Sequence, residues 1–459
     1  MIAASSRSTR AGAGSLWARG ATCGNLRPVI SSRSRPGPKE VAICGLVLSL
    51  ITLLMCSVHV RSGGLYYDDW SVVALGRFPL RGGLLHGLWL DYGQRPGQVL
   101  YYAGLDAVFG LHTALRLALA AVMVMLEVTC LYALLRHLGL AVRHAVAIAA
   151  LSLTFPSSDS VWLWGIVSLT SLAIAAALLG LLLALRALEH SGPRALALHA
   201  TSLSLYAASI LSYEVFAIAG CLAGFLYVRA AGFKRARVRW VLDIVTIGGA
   251  LSLARVVLPI DVATPSRMQS LAGMVGHAGL IARDGARVTG AAVLPVAGVS
   301  PWVGAGLLAI VLTAAAGLRR RLPAGVTARM ELERWLAIAG AGALVALAAW
   351  AVYVPAPNHY SPATVGTVNR MNAGAAIGLV ILGVPLIGLA HARPCGAPAE
   401  SRCHSGHHDG GAGAWWRLPS ADGRRRAGVG CSGCGPAPAP DRPARSPAAP
   451  SPGSGRLRL

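Results

Sequence analysis

Two adjacent carboxylates, Asp68 and Asp69, are the residues whose types and spacing most directly suggest chemistry in this sequence. They stand in YDDW at 67–70, just after the first long apolar stretch, in a chain of which only 13% of the residues are charged. Neighbouring carboxylates repel each other unless a cation or a proton accompanies them. The pair could hold a divalent cation, Mg²⁺ or Mn²⁺, or one member could take a proton from an acceptor hydroxyl as a general base. Alternatively, Asp69 caps a short helix.

Further polar groups that could serve the same site follow along the chain. Arg95 in QRPG and Arg370 in VNRMN could clamp a phosphate by bidentate hydrogen bonds. Both could also be arginines that simply extend toward a membrane interface. Glu214, in SYEV between two apolar stretches, needs a partner, and is either a second catalytic acid/base or a brace for a loop. His359 and Asn369 complete the substrate-binding candidates.

The elements that must position these groups are apolar. The chain has 459 residues, 55% of them hydrophobic, and a mean hydropathy of +0.58. Continuous apolar stretches of about 18 residues or more predict transmembrane helices, because lipid leaves no partner for backbone polar groups outside the segment itself. We therefore expect an all-α, polytopic transmembrane helix bundle with about ten spans. The expected spans are Val41–Val60, Thr113–Leu135, Ala145–Phe155, Trp162–Leu185, Ala195–Leu211, Val215–Val228, Val241–Leu258, Trp302–Leu318, Trp335–Val354 and Met371–Ala390.

The charge distribution predicts the orientation of this bundle. The formal net charge is +23, and the arginines fall mainly between apolar stretches and in the two terminal segments. This pattern is typical of cytoplasmic loops under the positive-inside rule, and it argues against a nucleic-acid partner. Both termini are then cytoplasmic, and the main outer loops are 61–110, 259–301 and 355–370. All the candidate residues named above fall on the outer side.

The terminal segments have a different composition from the apolar region 41–391. Residues 1–40 are rich in Ser, Arg and Gly, and we expect a disordered basic cytoplasmic arm. Residues 392–459 are rich in Pro, Gly and Arg, which is typical of a disordered tail. A frameshift in a high-GC gene would give the same composition, so both interpretations of the tail stay open.

The motifs and the architecture together resemble the GT-C-type glycosyltransferases, multi-spanning enzymes that use polyprenyl-phosphate sugars. The matching segments, within 41–390, are YDDW at 67–70, RPG at 95–97, FGLH at 109–112, FPSSDSVW at 155–162, SYE at 212–214 and NRMNAG at 369–374. The resemblance implies an acidic catalytic residue in the first outer loop, here Asp68 or Asp69. It also implies a lipid-phosphate site lined by cations, for which Arg95 and Arg370 are the matching positions, and frequently a divalent metal.

The function expected from this resemblance is sugar transfer in a bacterial plasma membrane. The donor would be a polyprenyl-phosphate sugar, and the acceptor a glycan or lipid of the cell envelope on the extracytoplasmic side. Two alternatives remain open. A transporter or flippase of lipid-linked glycans would favour inverted repeats and charges at mid-membrane depth, and a non-catalytic membrane protein would scatter its outer polar residues. The sequence has no Walker A motif, no GxGxxG after a strand and no GxSxG elbow, so soluble nucleotide or hydrolase chemistry is not indicated.

Overall fold

The computed structural model describes residues 36–258, 270–294, 300–302, 326–356 and 360–391, together with positions 305, 306, 309 and 313. Within these residues the regular structure is helical and contains no strand, which confirms the predicted all-α class. The α-helices are α1 (Pro38–Ser62), α2 (Asp68–Arg77), α3 (Gly83–Tyr92), α4 (Pro96–Phe109), α5 (Thr113–His137), α6 (Val142–Leu153), α7 (Ser160–Leu163), α8 (Leu169–Glu189), α9 (Gly192–Ser212), α10 (Ala217–Leu222), α11 (Gly224–Ala231), α12 (Phe233–Ser252), α13 (Leu271–Val293), α14 (Val326–Ala351) and α15 (Ala373–His391).

Eight helical segments of the described residues are long and apolar enough to cross a membrane. They are Pro38–Ser62, Thr113–His137, Leu169–Glu189, Gly192–Ser212, Glu214–Ala231, Phe233–Val257, Leu332–Ala351 and Val368–Pro385. This supports the predicted multi-pass membrane protein, while ten spans stay a prediction. Helix α6 is apolar but has only 12 residues, and most of 302–318 lies outside the described residues.

Two predicted outer loops contain helical structure. Within the predicted outer loop 259–301 the structure has α13, a helix of 23 residues. The predicted outer loop 355–370 ends in a 3₁₀ helix, Thr367–Asn372, that leads directly into α15. The terminal predictions, 1–40 and 392–459, fall almost entirely outside the described residues.

Helices α5 and α8 form the centre of the bundle, together with the segment Val368–Pro385. Their apolar windows are 56%, 61% and 61% buried, whereas that of α1 is 22% buried. A helix that is apolar on all sides and buried on one suits a position between protein and lipid. The central helices therefore provide the rigid frame, and α1 presents apolar side chains outward.

Glycines let α14 and α15 approach closely. A Cβ on Gly342 would lie 2.5 Å from the backbone N of Leu382, and one on Gly378 would collide with the backbone of Ala346. Small residues at such contacts allow van der Waals packing between membrane helices, where lipid offers little hydrophobic drive for association. This contact fixes the start of α15, and with it the 3₁₀ helix that carries Asn369 and Arg370.

Long-range hydrogen bonds define two ends of the bundle. At one end Arg136 Nε donates to Glu40 Oε1 at 2.6 Å, and Arg334 Nη2 donates to Gly139 O at 2.6 Å. The other end, which we call the site end, gathers the candidate residues. It comprises 63–112, 154–168, 213–216, the end of the Phe233–Val257 segment, 353–356 and 360–372.

Candidate functional site

The two adjacent carboxylates begin α2 and have different surroundings. Tyr67, directly before them, has a positive φ of 38°, and among the described residues it is the one non-glycine residue with a positive φ. A tyrosine in this region is strained, and such strain persists where the surrounding structure holds it. The turn places Asp69 in the interior and leaves Asp68 half-buried.

Asp69 joins two distant parts of the chain. Its Oδ2 accepts a hydrogen bond from Tyr66 N at 3.1 Å, and its Oδ1 accepts one from Ile166 N at 2.9 Å. The side chain has no exposed surface, and burial raises its pKa to about 6, although these hydrogen bonds and the charge of Arg116 oppose the rise. The alternative that Asp69 caps α2 is wrong, because Tyr67 occupies the N-cap position.

Asp68 is the carboxylate that remains available. It makes no hydrogen bond or ion pair with another described residue, and its charge acts on Arg370 and on Tyr102. Because both oxygens of Asp69 accept backbone hydrogen bonds, a divalent cation would rest on Asp68 and on oxygens of a ligand. No group of three or more His, Cys, Asp or Glu residues gathers within the described parts of the chain. A divalent metal at Asp68 therefore stays a prediction.

Arg370 is a cation that complements the available carboxylate of Asp68. Its guanidinium lies over the Trp164 ring at 5.2 Å from the centroid, and it too makes no hydrogen bond or ion pair with a described residue. It is half-buried and interacts electrostatically with Asp68 and with the tyrosines at 213, 353 and 360. A partly buried guanidinium whose donors are unused is suited to a planar or phosphate oxyanion.

A second group of charges, Arg95, Glu214 and Arg255, lies beside this pair. Arg95 Nε and Nη2 donate to Glu214 Oε2 and Oε1 at 2.8 and 2.7 Å, and Arg255 Nη2 donates to Oε1 at 2.5 Å. Arg95 also lies 4.6 Å from the Tyr213 ring centroid. Burial alone would lower the Arg95 pKa, but the charges of Glu214 and Tyr213 outweigh burial and raise it. Since guanidiniums occupy both Glu214 oxygens, the geometry favours a brace over a free acid/base.

Arg255 and Tyr353 belong to this site but were not singled out from the sequence. Arg255 lies in the π-helix Leu253–Val257 at the end of a span, and π-helical turns are frequent at functional sites. A cation inside a predicted apolar span is the sequence signal that could have identified it. Tyr353 is buried, its hydroxyl has no partner in good hydrogen-bond geometry, and it interacts electrostatically with Tyr213, Glu214 and Arg95.

Asn369 holds the loop that follows α6. Its Oδ1 accepts a hydrogen bond from Ser160 N at 3.2 Å, and its Nδ2 donates to Asp159 Oδ1. Asn372 donates to Ser157 O at 2.7 Å. The Asn369 amide is therefore engaged within the protein, and its predicted contact with substrate stays untested. These bonds fix both flanks of Arg370.

His359 lies outside the described residues, and one histidine contacts a described residue on either side of it in the sequence. His277 on α13 has no exposed surface. Its Nδ1 lies 3.1 Å from Val354 O, and its Nε2 lies 2.9 Å from Tyr360 O. His277 thus joins the end of α14 to the segment that begins at Tyr360.

A polar groove of about 320 Å³ runs along α13 beside the segment that leads to Arg370. Arg283 Nε donates to Asp284 Oδ1 at 2.9 Å, and Ser361 Oγ donates to Asp284 Oδ2 at 2.6 Å. The groove is lined by Arg283, Asp284, Arg287, Val288, Ser361, Pro362, Ala363, Thr364, Val365 and Val368. Its volume lies within the range of small-molecule sites.

No protein-family model matches this chain, and the searches of curated proteins and of solved structures found no similar protein. Four of the ionisable residues selected from the sequence, Asp68, Arg95, Glu214 and Arg370, nevertheless lie at one end of the bundle around the same tyrosines. Their functional roles stay predictions.

Proposed function

We propose that this chain is a membrane glycosyltransferase of GT-C type that moves a sugar from a polyprenyl-phosphate donor to a cell-envelope acceptor. One observation carries the proposal. Asp68 and Arg370 are half-buried groups of opposite charge, each without a hydrogen-bond or ion-pair partner among the described residues, and each within electrostatic reach of the other. A carboxylate that can accept a proton and a guanidinium that can hold a phosphate are the two groups this transfer requires.

In the proposed reaction, Asp68 takes the proton of an acceptor hydroxyl. The acceptor oxygen forms a bond to the anomeric carbon of the donor sugar with inversion, and the bond from that carbon to the phosphate oxygen breaks. The electron pair leaves with the polyprenyl phosphate, whose added negative charge Arg370 stabilises. Such stabilisation is strongest where water is excluded, and both groups are partly buried.

The arginines near Asp68 support an anionic ligand. Arg95 and Arg255 share one carboxylate, Glu214, whereas Arg370 has no hydrogen-bond or ion-pair partner among the described residues. Glu214 neutralises much of the field of Arg95 and Arg255 through direct contact. Arg370 is thus the cation with donors free for a phosphate.

The groove along α13 supports a place for the acceptor. Guanidinium, carboxylate and hydroxyl groups of Arg283, Asp284 and Ser361 provide both donors and acceptors, which suits the hydroxyl-rich surface of a sugar. Its last lining residue, Val368, precedes Arg370 by two positions. An acceptor lying there would present a hydroxyl toward Asp68.

The orientation we propose places the site end on the extracytoplasmic side of a bacterial plasma membrane. The loops and helix ends that face away from the site end are rich in arginine, as cytoplasmic loops are. These arginines are Arg136, Arg143, Arg186, Arg194, Arg229 and Arg235. Reporter fusions at Tyr67 and Arg194 test this, with Tyr67 expected outside and Arg194 inside.

A transfer assay with the purified chain in nanodiscs tests the function. The donors are radiolabelled polyprenyl-phosphate hexoses and pentoses, and the acceptor is a cell-envelope fraction. We expect Asp68→Asn and Arg370→Gln each to lower transfer by 100-fold or more, on the order of the losses seen when a general base or a transition-state donor is removed. The matched controls at the opposite end, Glu189→Gln and Arg334→Gln, should transfer like the wild type. Wild-type rates in both site variants would refute the proposal.

A further inference from the structure

A second polar group, which the proposed transfer does not use, lies around a half-buried carboxylate on a central helix. Glu127 stands at the middle of α5, a 25-residue membrane-spanning helix. It makes no ion pair with a cation of the described residues. A carboxylate at this depth is costly unless a proton or a cation neutralises it, so an ionisable residue there is a functional candidate.

Glu127 lines a small cavity shared with three serines. The cavity has about 20 Å³, which is room for one water molecule or one ion of that size. Ser152 on α6, Ser158 in the following loop and Ser171 on α8 line it with Glu127. Ser171 has no exposed surface and interacts with the Glu127 side chain, although its hydroxyl has no partner in good hydrogen-bond geometry among the described residues.

The hydroxyl groups offer oxygen lone pairs to this cavity. Ser152 Oγ donates to Ile148 O at 2.8 Å, and Ser158 Oγ donates to Phe155 O at 3.2 Å. Each hydroxyl has a single hydrogen, so these two have only acceptor capacity left for a ligand. The Glu127 carboxylate and these two hydroxyls, whose hydrogens are already donated, make the cavity rich in hydrogen-bond acceptors. Such a cavity selects a cation and disfavours an anion.

The backbone around the cavity is irregular, as at ion sites within membranes. Between the end of α6 and the start of α8 the chain makes turns and the four-residue helix α7. Irregular backbone at membrane depth is tolerated where it is buried in protein or lines a cavity, and interrupted helices coordinate monovalent ions in membrane proteins. The loop that contains Ser158 is both irregular in its backbone and part of the cavity lining.

We propose that this cavity binds one dehydrated monovalent cation of the size of sodium. The Glu127 carboxylate balances the charge, and the oxygens of Ser152, Ser158 and Ser171 complete the coordination. One carboxylate and one monovalent cation form a neutral pair. A divalent cation with the same carboxylate would leave one positive charge unbalanced. The divalent metals are further disfavoured because no cluster of three His, Cys, Asp or Glu residues is found in the described part of the chain.

The cation would also steady the neighbouring site. Ser158 lies between Ser157, whose carbonyl accepts from Asn372, and Ser160, whose N–H donates to Asn369. Those two asparagines flank Arg370. Occupancy of the cavity therefore stabilises the loop that holds the 3₁₀ helix in place, whether or not the chain transfers sugars.

The test is the thermal unfolding of the purified full-length chain in nanodiscs, followed by intrinsic tryptophan fluorescence. The salts are NaCl, KCl and choline chloride at equal ionic strength. We expect Tm to rise by a few degrees with NaCl over choline chloride, to saturate with concentration, and to rise less with KCl. Glu127→Gln and Ser171→Ala should abolish this response. Ser209→Ala, which removes a buried hydroxyl bonded to Ala173 O outside the cavity, should retain it.

Equal Tm values in NaCl and choline chloride for the wild type would overturn the proposal. A sodium response that persists in Ser171→Ala and Glu127→Gln would also overturn it, since the ion would then bind elsewhere. If Glu127→Gln does not fold, Ser171→Ala against Ser209→Ala decides the matter. Transfer activity is not part of the readout, so failure of the proposed glycosyltransferase function would leave this result interpretable.

Discussion

Glu214→Gln and Asp68→Asn remove the same charge with little change in shape, yet we expect only Glu214→Gln to lower the stability. Glu214 contacts Arg95 at 2.7 and 2.8 Å and Arg255 at 2.5 Å, and the carboxylate side chain is 12% exposed. Asp68 has no such partner among the described residues. Neutralising Glu214 leaves two guanidiniums facing each other, whereas neutralising Asp68 breaks no contact.

The magnitude follows from the burial of the ion pairs. Removing one partner of a buried pair costs roughly 3–5 kcal/mol. Arg95 and Arg255 are 20% and 31% exposed, so water screens part of the effect, and we expect about 2–4 kcal/mol. A loss of that size lowers Tm by about 2–4 °C in a protein of this length. Asp68→Asn should change stability by less than about 0.5 kcal/mol, as an unpaired and partly exposed position does.

The assay is thermal unfolding in nanodiscs with the two variants and the wild type measured side by side. Transfer activity is measured on the same preparations below the unfolding range. The expected result is a destabilised Glu214→Gln protein and an Asp68→Asn protein of wild-type Tm without transfer. An Asp68→Asn protein that loses as much stability as Glu214→Gln would refute the assignment of Asp68 as the free carboxylate. An unchanged Tm in Glu214→Gln would refute the assignment of Glu214 as the brace.

Three further variants test the frame of the site. Burial raises the Asp69 pKa from its ordinary 3.8 to about 6. The contribution of Asp69 to the free energy of unfolding is therefore complete below about pH 4, and about 3 kcal/mol of it is lost as the pH rises through 6. Asp69→Asn should abolish this pH dependence when unfolding is measured across pH. Asn369→Ala leaves Ser160 N–H unpaired and should cost about 1–3 kcal/mol, with faster proteolysis at 155–162 as the readout. Gly378→Leu should lower Tm by forcing α14 from α15, whereas Gly383→Leu on the same helix, where a Cβ meets nothing within 4 Å, should not.

The sequence predicted the helical frame well because each signal is local. Continuous apolar stretches identify spans without knowledge of their neighbours, and the structure places helices over nine of the ten predicted positions, with the tenth largely outside the described residues. Helices that alternate in direction bring every second loop to the same end of a bundle. That rule alone predicts that Asp68, Arg95, Glu214 and Arg370 lie at one end.

The division of roles among these residues could not be predicted, because it depends on contacts between distant positions. Asp69 accepts a hydrogen bond from the backbone N–H of Ile166, 97 residues further along the chain, and nothing in YDDW tells which carboxylate turns inward. The sequence left two interpretations of Glu214 open, a catalytic acid/base or a brace. The contact with Arg255 favours the brace, and Arg255 lies inside a predicted span. Glu127 was missed for the same reason, since the cavity that surrounds it forms only when α5, α6 and α8 pack together.

The most direct test of the central claim is the binding of a long-chain polyprenyl phosphate to the wild type and to Arg370→Gln in nanodiscs. Trp164, which lies under Arg370, serves as the fluorescent reporter, and the uncharged polyprenol of the same length is the control ligand. A charge-assisted hydrogen bond of about 1.5–3 kcal/mol predicts a Kd about 10- to 150-fold higher in the variant, with the polyprenol bound equally by both proteins. Equal affinity of the two proteins for the phosphate would contradict the claim that Arg370 holds it.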